Sequence, residues 1–151
     1  GNEYTHEPTT EQRELAKKLA SWGADVIIGT HPHVIQPVEY IENSDGRRTL
    51  VAYSLGNFIS AQNRGPRMLG GMINFDIVKN NNTGKVAIEN VVFSGVVTHY
   101  GYNASNVRIY PLADYTEELA SKHGVKSKTP DFSLQYLNNI MNEVIDKQFL
   151  K

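Results

Sequence analysis

A short apolar run at residues 26–28 leads directly into Gly-Thr-His-Pro-His at residues 29–33, and this junction constrains the fold more than any other feature. The run is typical of a buried parallel strand, and it follows a segment whose apolar residues have helical spacing. The sequence therefore predicts an α–β unit in which His31 and His33 lie just beyond the carboxyl end of a strand. In open α/β sheets, ligands usually bind at that position.

The two imidazoles are separated by Pro32 alone. In extended backbone, side chains two residues apart point to the same face, and a proline restricts both its own φ and the preceding residue. Neutral imidazole is a common ligand of manganese, iron and zinc. We therefore predict that His31 and His33 bind a divalent metal ion. The spacing leaves open whether they bind one ion or two, and the alternative is a loop whose histidines only hydrogen-bond to backbone.

Length and composition limit the classes of protein to which the chain can belong. Its 151 residues suit one domain, 1–151, and the absence of cysteine excludes disulfides and thiolate metal sites. Fifteen Lys and Arg residues nearly balance sixteen Asp and Glu residues, which argues against nucleic-acid binding. No apolar run approaches the roughly 20 residues that span a bilayer.

The remaining pattern predicts a mixed α/β fold. Thr9 and Gln12 have capping-box spacing at the start of the first helix, which Gly23 ends. Turn-forming residues separate the later apolar segments, so several antiparallel strands are expected. The predicted strands are 24–29, 34–42, 47–54, 72–79, 85–98 and 107–112, and the predicted later helices are 117–123 and a longer one that opens at 130–131. The apolar stripe of the last helix is expected to be core or a docking surface.

Four further side chains are candidates for chemistry. Ser54 and Asn57 lie where a predicted strand runs into a Gly-Asn turn, and Asn57 could orient a ligand; taken alone, the motif favours the alternative, a tight turn capped by an Asx hydrogen bond. Arg64 and Arg67 share one loop and could hold a phosphate or carboxylate; the alternative is a pair of solvated surface arginines.

The motifs together resemble the CapA family of bacterial capsule and poly-γ-glutamate synthesis proteins, within the calcineurin-like metallophosphoesterase superfamily. The residues that carry the resemblance lie at 1–4, 8, 12, 23–34, 36–39 and 53–58. In that superfamily the His-x-His pair supplies metal ligands, which here correspond to His31 and His33. The earlier family motifs, an aspartate-bearing strand end, an Asn-rich segment and a His-Trp pair, do not occur in this sequence. The resemblance therefore implies the C-terminal half of an α/β/β/α sandwich, with a mainly antiparallel sheet and C-terminal helices.

The resemblance also implies a function. We expect a protein of capsule or poly-γ-glutamate synthesis or export that is a metal-dependent, phosphoesterase-like hydrolase when intact and inactive as this portion alone. His31 and His33 would hold divalent metal of the manganese, iron or zinc class, Asn57 would orient the substrate, and Ser54, Arg64 and Arg67 would contact it. The alternative is a non-catalytic polymer-binding or assembly module on the same scaffold.

Partners and location follow from the same resemblance. The expected partners are an anionic polymer such as poly-γ-glutamate and other capsule synthesis proteins. A half sandwich leaves a sheet edge and a core face uncovered, so we also expect association with a missing N-terminal half or with a second copy. The full-length protein is expected to be extracellular, at the cell surface, and anchored to the membrane by a segment outside this chain.

Overall fold

The computed structural model describes residues 1–150, which form three α-helices and six β-strands. The helices are α1 (Thr10–Ser21), α2 (Glu117–Ser121) and α3 (Leu134–Val144). The strands are β1 (Val26–Ile28), β2 (Val38–Glu42), β3 (Arg48–Ala52), β4 (Leu69–Lys79), β5 (Val86–His99) and β6 (Arg108–Pro111). Short 3₁₀ helices cover Gly65–Met68, Tyr102–Ala104, Leu112–Asp114, Gly124–Ser127 and Lys147–Phe149.

The strands form two three-stranded sheets. The first has the order β1-β3-β2, in which β1 runs parallel to β3 and β2 runs antiparallel to it. The second has the order β4-β5-β6 and is entirely antiparallel. The predicted mixed α/β fold, with its mainly antiparallel strands and a C-terminal helix, is confirmed.

One apolar core joins the two sheets to the C-terminal helix. Leu50 of β3, Phe93 and Val97 of β5 and Leu137 of α3 are buried in the same cluster. Ile145, which follows α3, is only 1% exposed. The apolar stripe of the last helix is therefore core.

The predicted start of α3 is wrong. Residues 130–131 form a turn, and the helix begins at Leu134 after Ser133, whose hydroxyl accepts a hydrogen bond from the Tyr136 amide. A serine N-cap satisfies a free helical N–H and so competes effectively with the upstream proline for the helix start. Phe132, fully buried, holds the preceding turn against the core.

The predicted capping box of α1 is confirmed: the Thr9 hydroxyl accepts from the Gln12 amide, and the Gln12 side chain accepts from the Thr9 amide. The face that the helix buries is narrower than its apolar pattern indicates. Ala16 and Ala20 are buried, whereas Leu15 is 55% exposed and Trp22 is 69% exposed.

The expectation that β1 is a buried strand is also wrong. β1 pairs only with β3 and so forms the edge of its sheet. Val26 and Ile27 are half-buried and Ile28 is 42% exposed. The predicted parallel pairing is nevertheless correct, and it brings the carboxyl ends of β1 and β3 to the same edge of the sheet. No helix within residues 1–150 has the length and apolarity needed to cross a membrane.

Candidate functional site

The segment of residues 29–33, which follows β1, begins with Gly29. Any other residue at this position would require the backbone to shift. The Gly29 amide donates to the Ala52 carbonyl over 2.7 Å. A Cβ at Gly29 would lie 2.2 Å from the Tyr53 carbonyl oxygen. This close approach holds the histidine segment directly against the end of β3.

His31 does not have the extended backbone expected from the sequence. Its φ is 99°, in the left-handed region that side chains other than glycine rarely adopt. Such a conformation costs of order 1–3 kcal/mol and persists where the surroundings fix it. The packed Gly29 on one side and the buried Pro32 on the other fix it here. The imidazole of His31 is exposed, and that of His33 is half-buried.

Asn57 fixes the orientation of His33. Its amide nitrogen donates to the carbonyl oxygens of His33 (3.2 Å) and Arg67 (3.1 Å), so its amide oxygen is the acceptor that faces the ring. That oxygen lies 2.9 Å from His33 Nδ1. His33 Nδ1 therefore carries the proton, and Nε2 carries the lone pair that a metal ion would use. The contacts of Asn57 join two loops, unlike the local Asx turn considered as its alternative.

The N-terminal segment lies against the same imidazole. The His33 amide donates to the Glu3 carbonyl over 2.7 Å. The Tyr4 ring stacks on the His33 ring with centroids 5.9 Å apart and an interplanar angle of 21°. On Tyr4 lies the guanidinium of Arg67, 3.7 Å from the ring centroid.

The two arginines of the loop differ sharply in their contacts. Arg67 is half-buried and donates to the Gln62 amide oxygen over 2.7 Å, so its guanidinium is held in place by two partners. Arg64 is exposed, and within residues 1–150 its guanidinium donates only to the neighbouring Asn63 carbonyl. Arg67 is therefore preorganised beside His33, whereas Arg64 is a solvated arginine.

Ser54 is 1% exposed, and both of its hydrogen bonds are internal. Its hydroxyl donates to the Pro32 carbonyl and accepts from the Gly56 amide. These contacts tie the histidine segment to the end of β3. They give Ser54 a structural role and leave its predicted contact with substrate without support.

Glu3 brings a negative charge to this group. Its carboxylate oxygen lies 3.9 Å from His33 Nε2. The pKa of Glu3 is lowered, first by a hydrogen bond with the Tyr4 side chain and then by the charges of His31, His33 and Arg67. Glu3 is therefore ionised at neutral pH. Within residues 1–150, no three or more His, Asp or Glu side chains are grouped so that they could hold a metal ion.

A buried glutamine anchors the N-terminal segment to the sheet. Gln36 is fully buried; its amide nitrogen donates to the carbonyls of Thr5 and Glu7, and its amide oxygen accepts from Gln12. The segment carries Glu3 and Tyr4, so Gln36 helps to hold these two residues beside His33.

The comparisons with known proteins agree with the resemblance drawn from the sequence. Residues 1–62 match the family model described as bacterial capsule synthesis protein PGA_cap. This part of the chain contains every residue of the His33 site except Arg67. Over this part of its sequence, the chain is similar to bacterial capsule synthesis proteins.

Two curated relatives carry the same name. The chain is 35% identical to the PGA biosynthesis protein CapA of Bacillus subtilis (strain 168) over 88 residues, which cover 58% of this chain and 22% of that protein. It is 40% identical to the capsule biosynthesis protein CapA of Bacillus anthracis over 62 residues, which cover 41% of this chain and 14% of that protein. The chain thus spans only a small part of the curated relatives it matches. No solved structure matches it.

Sequence reasoning missed two members of the site, Tyr4 and Gln62. Tyr4 lies between His33 and Arg67, and Gln62 holds Arg67. Neither belongs to a spacing pattern, because their contacts join segments that are distant along the chain. The sequence offered one signal for Tyr4: an aromatic residue and an arginine both occur near the predicted ligand site, and such residues often stack on each other.

Proposed function

We propose that this chain is part of a protein of capsule polymer synthesis or export at the bacterial cell surface, and that it contributes to a phosphoesterase-like, metal-dependent hydrolase centre. One observation carries the proposal. The sequence shared with capsule biosynthesis proteins is also the sequence that brings His33, Asn57 and Glu3 together at the ends of β1 and β3.

Imidazole nitrogens are suitable donors for a divalent ion of the manganese, iron or zinc class, and ligands beyond His31 and His33 would come from another segment. Nε2 of His33 makes no hydrogen bond with residues 1–150, since Asn57 engages only Nδ1. His31 is exposed two residues away. His31 and His33 would hold the ion, which when bound supplies an activated water and stabilises developing negative charge. Asn57 would orient the site by holding His33.

The proposed substrate is an anionic polymer such as poly-γ-glutamate, and Arg67 is the residue proposed to bind it. Arg67 is held by Tyr4 and Gln62 and keeps further N–H groups for an anion. A rigid guanidinium loses little side-chain entropy when a carboxylate or phosphate binds, so Arg67 is a better candidate than the exposed Arg64. Binding of the polymer would therefore depend on Arg67 and weaken with salt.

A non-catalytic polymer-binding or assembly module remains the second candidate. It is favoured by one observation: residues 1–150 do not group three or more His, Asp or Glu side chains as a metal site. Catalytic metal sites generally use three protein ligands or more. The hydrolase proposal therefore requires ligands from another segment, whereas the module requires none.

The structure also supports association with such a segment. Arg13 and Lys17 lie on the β2 side of α1, where Arg13 contacts Glu39 over 3.4 Å. Helical spacing places Leu15 and Trp22 on the opposite flank, and β1, against which α1 packs, is the unpaired edge of its sheet. Exposed apolar side chains beside an unpaired strand are typical of a surface that another element covers. We propose that the other half of a phosphoesterase-like sandwich, or a second copy of this chain, lies there.

The association is tested by light scattering and sedimentation. Leu15→Glu should shift the chain toward monomer, whereas Lys17→Glu, exposed on the β2 side of α1, should not. A wild-type chain that stays monomeric at high concentration, with no effect of Leu15→Glu, would rule out self-association.

The two candidate functions are separated by elemental analysis and turnover of the complete polypeptide that carries this sequence. The hydrolase predicts stoichiometric metal and loss of hydrolysis in a His31→Ala variant. The module predicts metal-free protein that still binds polymer, with unchanged binding by His31→Ala. Thr30→Ala, an exposed neighbour, is the matched control.

A further inference from the structure

Phe58 and Ile59 form an exposed apolar pair at the start of the loop that follows β3. Phe58 is 56% exposed and Ile59 is 58% exposed. They come directly after Asn57, whose side chain orients His33. Large apolar side chains that are grouped on a surface often mark a place where a ligand or another molecule binds. The apolar pair is therefore a candidate contact surface beside the site.

The backbone of this loop is fixed on both sides of the apolar pair. Near the start of the loop, the Phe58 carbonyl accepts from the hydroxyl of the buried Thr98 over 3.3 Å. Further along, the Gln62 carbonyl accepts from the Tyr100 hydroxyl over 3.0 Å. A surface whose backbone is already held in place loses little conformational entropy when a ligand binds to it. The pair is thus exposed but preorganised.

The same loop positions the guanidinium of Arg67. The Gln62 amide oxygen accepts from Arg67 over 2.7 Å, and the Asn57 amide nitrogen donates to the Arg67 carbonyl over 3.1 Å. The ring of Tyr4, which is 47% exposed, lies against that guanidinium. One fixed loop therefore presents both a cation and exposed apolar side chains. A ligand that matches this surface carries anionic groups and apolar groups along the same chain.

We propose that Phe58 and Ile59 bind the methylene groups of a polycarboxylate chain whose carboxylates pair with Arg67. The inference rests on the anionic polymer proposed above and narrows its chemical class. Each residue of γ-linked polyglutamate has a carboxylate and a pair of adjacent methylene carbons in its backbone, so it supplies both groups. Polyphosphate has the charge but no apolar carbon. It would contact Arg67 alone.

Another polypeptide segment is the alternative occupant of this surface. The association proposed above lies on the flank of α1, beside the unpaired edge of β1, whereas the apolar pair lies beyond the carboxyl end of β3. A purely apolar covering segment would also leave the remaining N–H groups of Arg67 without an anionic partner. A polycarboxylate matches the cation and the apolar pair together.

The test is isothermal titration calorimetry of the complete polypeptide that carries this sequence, with a chelator present so that no hydrolysis occurs. The titrants are poly-γ-glutamate and linear polyphosphate. Phe58→Ser and Ile59→Ser should each weaken poly-γ-glutamate binding by about fivefold or more and leave polyphosphate binding unchanged. Arg67→Gln should weaken the binding of both polymers. Ile77→Ser is the matched control: it removes an apolar side chain that is 68% exposed on β4, and it should change neither affinity.

The inference and the proposed function fail differently. If Phe58→Ser and Ile59→Ser bind poly-γ-glutamate like the wild type while Arg67→Gln binds it more weakly, the apolar contact is overturned and the anionic substrate stands. If the wild type does not bind poly-γ-glutamate, both are overturned. Equal losses for the two polymers, or an equal loss in Ile77→Ser, would also overturn the apolar contact. A large fall in the thermal midpoint of the Phe58 and Ile59 variants would show that another segment covers the pair, and it would overturn the inference as well.

Discussion

The amide oxygen of Asn57 lies 2.9 Å from Nδ1 of His33, while its amide nitrogen binds the carbonyls of His33 and Arg67. One side chain therefore sets the tautomer of an imidazole and also joins the two loops that flank it. The residues lie 24 positions apart, at the ends of neighbouring parallel strands.

Asn57→Ala is expected to release the tautomer of His33. With the amide oxygen gone, nothing holds the proton on Nδ1, and the ring should populate both neutral forms. Long-range ¹H–¹⁵N spectra distinguish them, because protonated and unprotonated ring nitrogens differ widely in chemical shift. His6, whose Nδ1 lies 2.8 Å from the Ile35 carbonyl, is the internal control and should not change. A single unchanged His33 tautomer in Asn57→Ala would show that another contact fixes the ring.

Gly29→Ala is expected to destabilise the chain by about 3 kcal/mol or more, because the new Cβ would lie 2.2 Å from a backbone oxygen that cannot move alone. Gly46→Ala is the control: its φ of 79° is unfavourable for alanine, but nothing lies within 4 Å, so about 1 kcal/mol is expected. Urea unfolding measures both. Equal losses for the two variants would contradict the packing argument.

Gln36→Leu is expected to cost about 2–3 kcal/mol, because it removes the three hydrogen bonds that the fully buried Gln36 makes with the N-terminal segment and with Gln12. The loss should also loosen residues 1–8, which amide hydrogen exchange would report. Gln135→Leu, at an exposed position of α3, should change stability by less than about 0.5 kcal/mol. Unchanged exchange of the N-terminal segment in Gln36→Leu would show that other contacts anchor it.

Stability is expected to fall with pH below about 6.5 because of His123. Its Nε2 donates to the Thr98 carbonyl and its Nδ1 accepts from the Val125 amide, so the neutral ring is fully satisfied. Burial lowers the pKa of His123 from 6.5 to about 4. A folded-state pKa below the unfolded one means that the unfolded chain binds the proton more readily, so stability decreases as the pH falls from about 6.5 to about 4.

The expected loss over that interval is roughly 2 kcal/mol, after allowance for partial solvent screening. Half-buried His99, whose pKa is lowered by burial and by Arg108, acts in the same direction. Urea unfolding at several pH values measures the slope. His123→Phe keeps a ring beside Tyr100 and Phe132 and should flatten it. If the free energy of unfolding of His123→Phe falls with pH as steeply as that of the wild type, groups other than His123 cause the pH dependence.

Local signals predicted most of the secondary structure. The Thr9 capping box, the turn at 43–46 and the turn at 80–84 each appear where the sequence predicts them. These features depend on residues close together along the chain, so a sequence pattern can contain them. The start of α3 was missed because Ser133, a second N-cap signal, lies only three residues after the proline.

The site was predicted only in part, because a sequence pattern contains contacts between residues that are close along the chain but not contacts between distant segments. His31, His33 and Asn57 follow predicted strands, so the sequence placed them near one sheet edge. The contacts that organise them, such as Tyr4 on His33 and Gln62 with Arg67, join separate segments. The exposure of β1 could not be predicted either. The same apolar sequence is compatible with a central strand, which has a strand on each side, and with an edge strand, which has a strand on one side only.

The indole of Trp22, which is the single tryptophan of the chain, is 69% exposed, with the Lys18 ammonium 5.0 Å from its ring centroid. Its emission should therefore resemble that of a hydrated indole even in the folded state. A polypeptide that covers the flank of α1 would shift that emission to shorter wavelength without any label. The chain thus carries its own optical reporter for the association proposed at this flank.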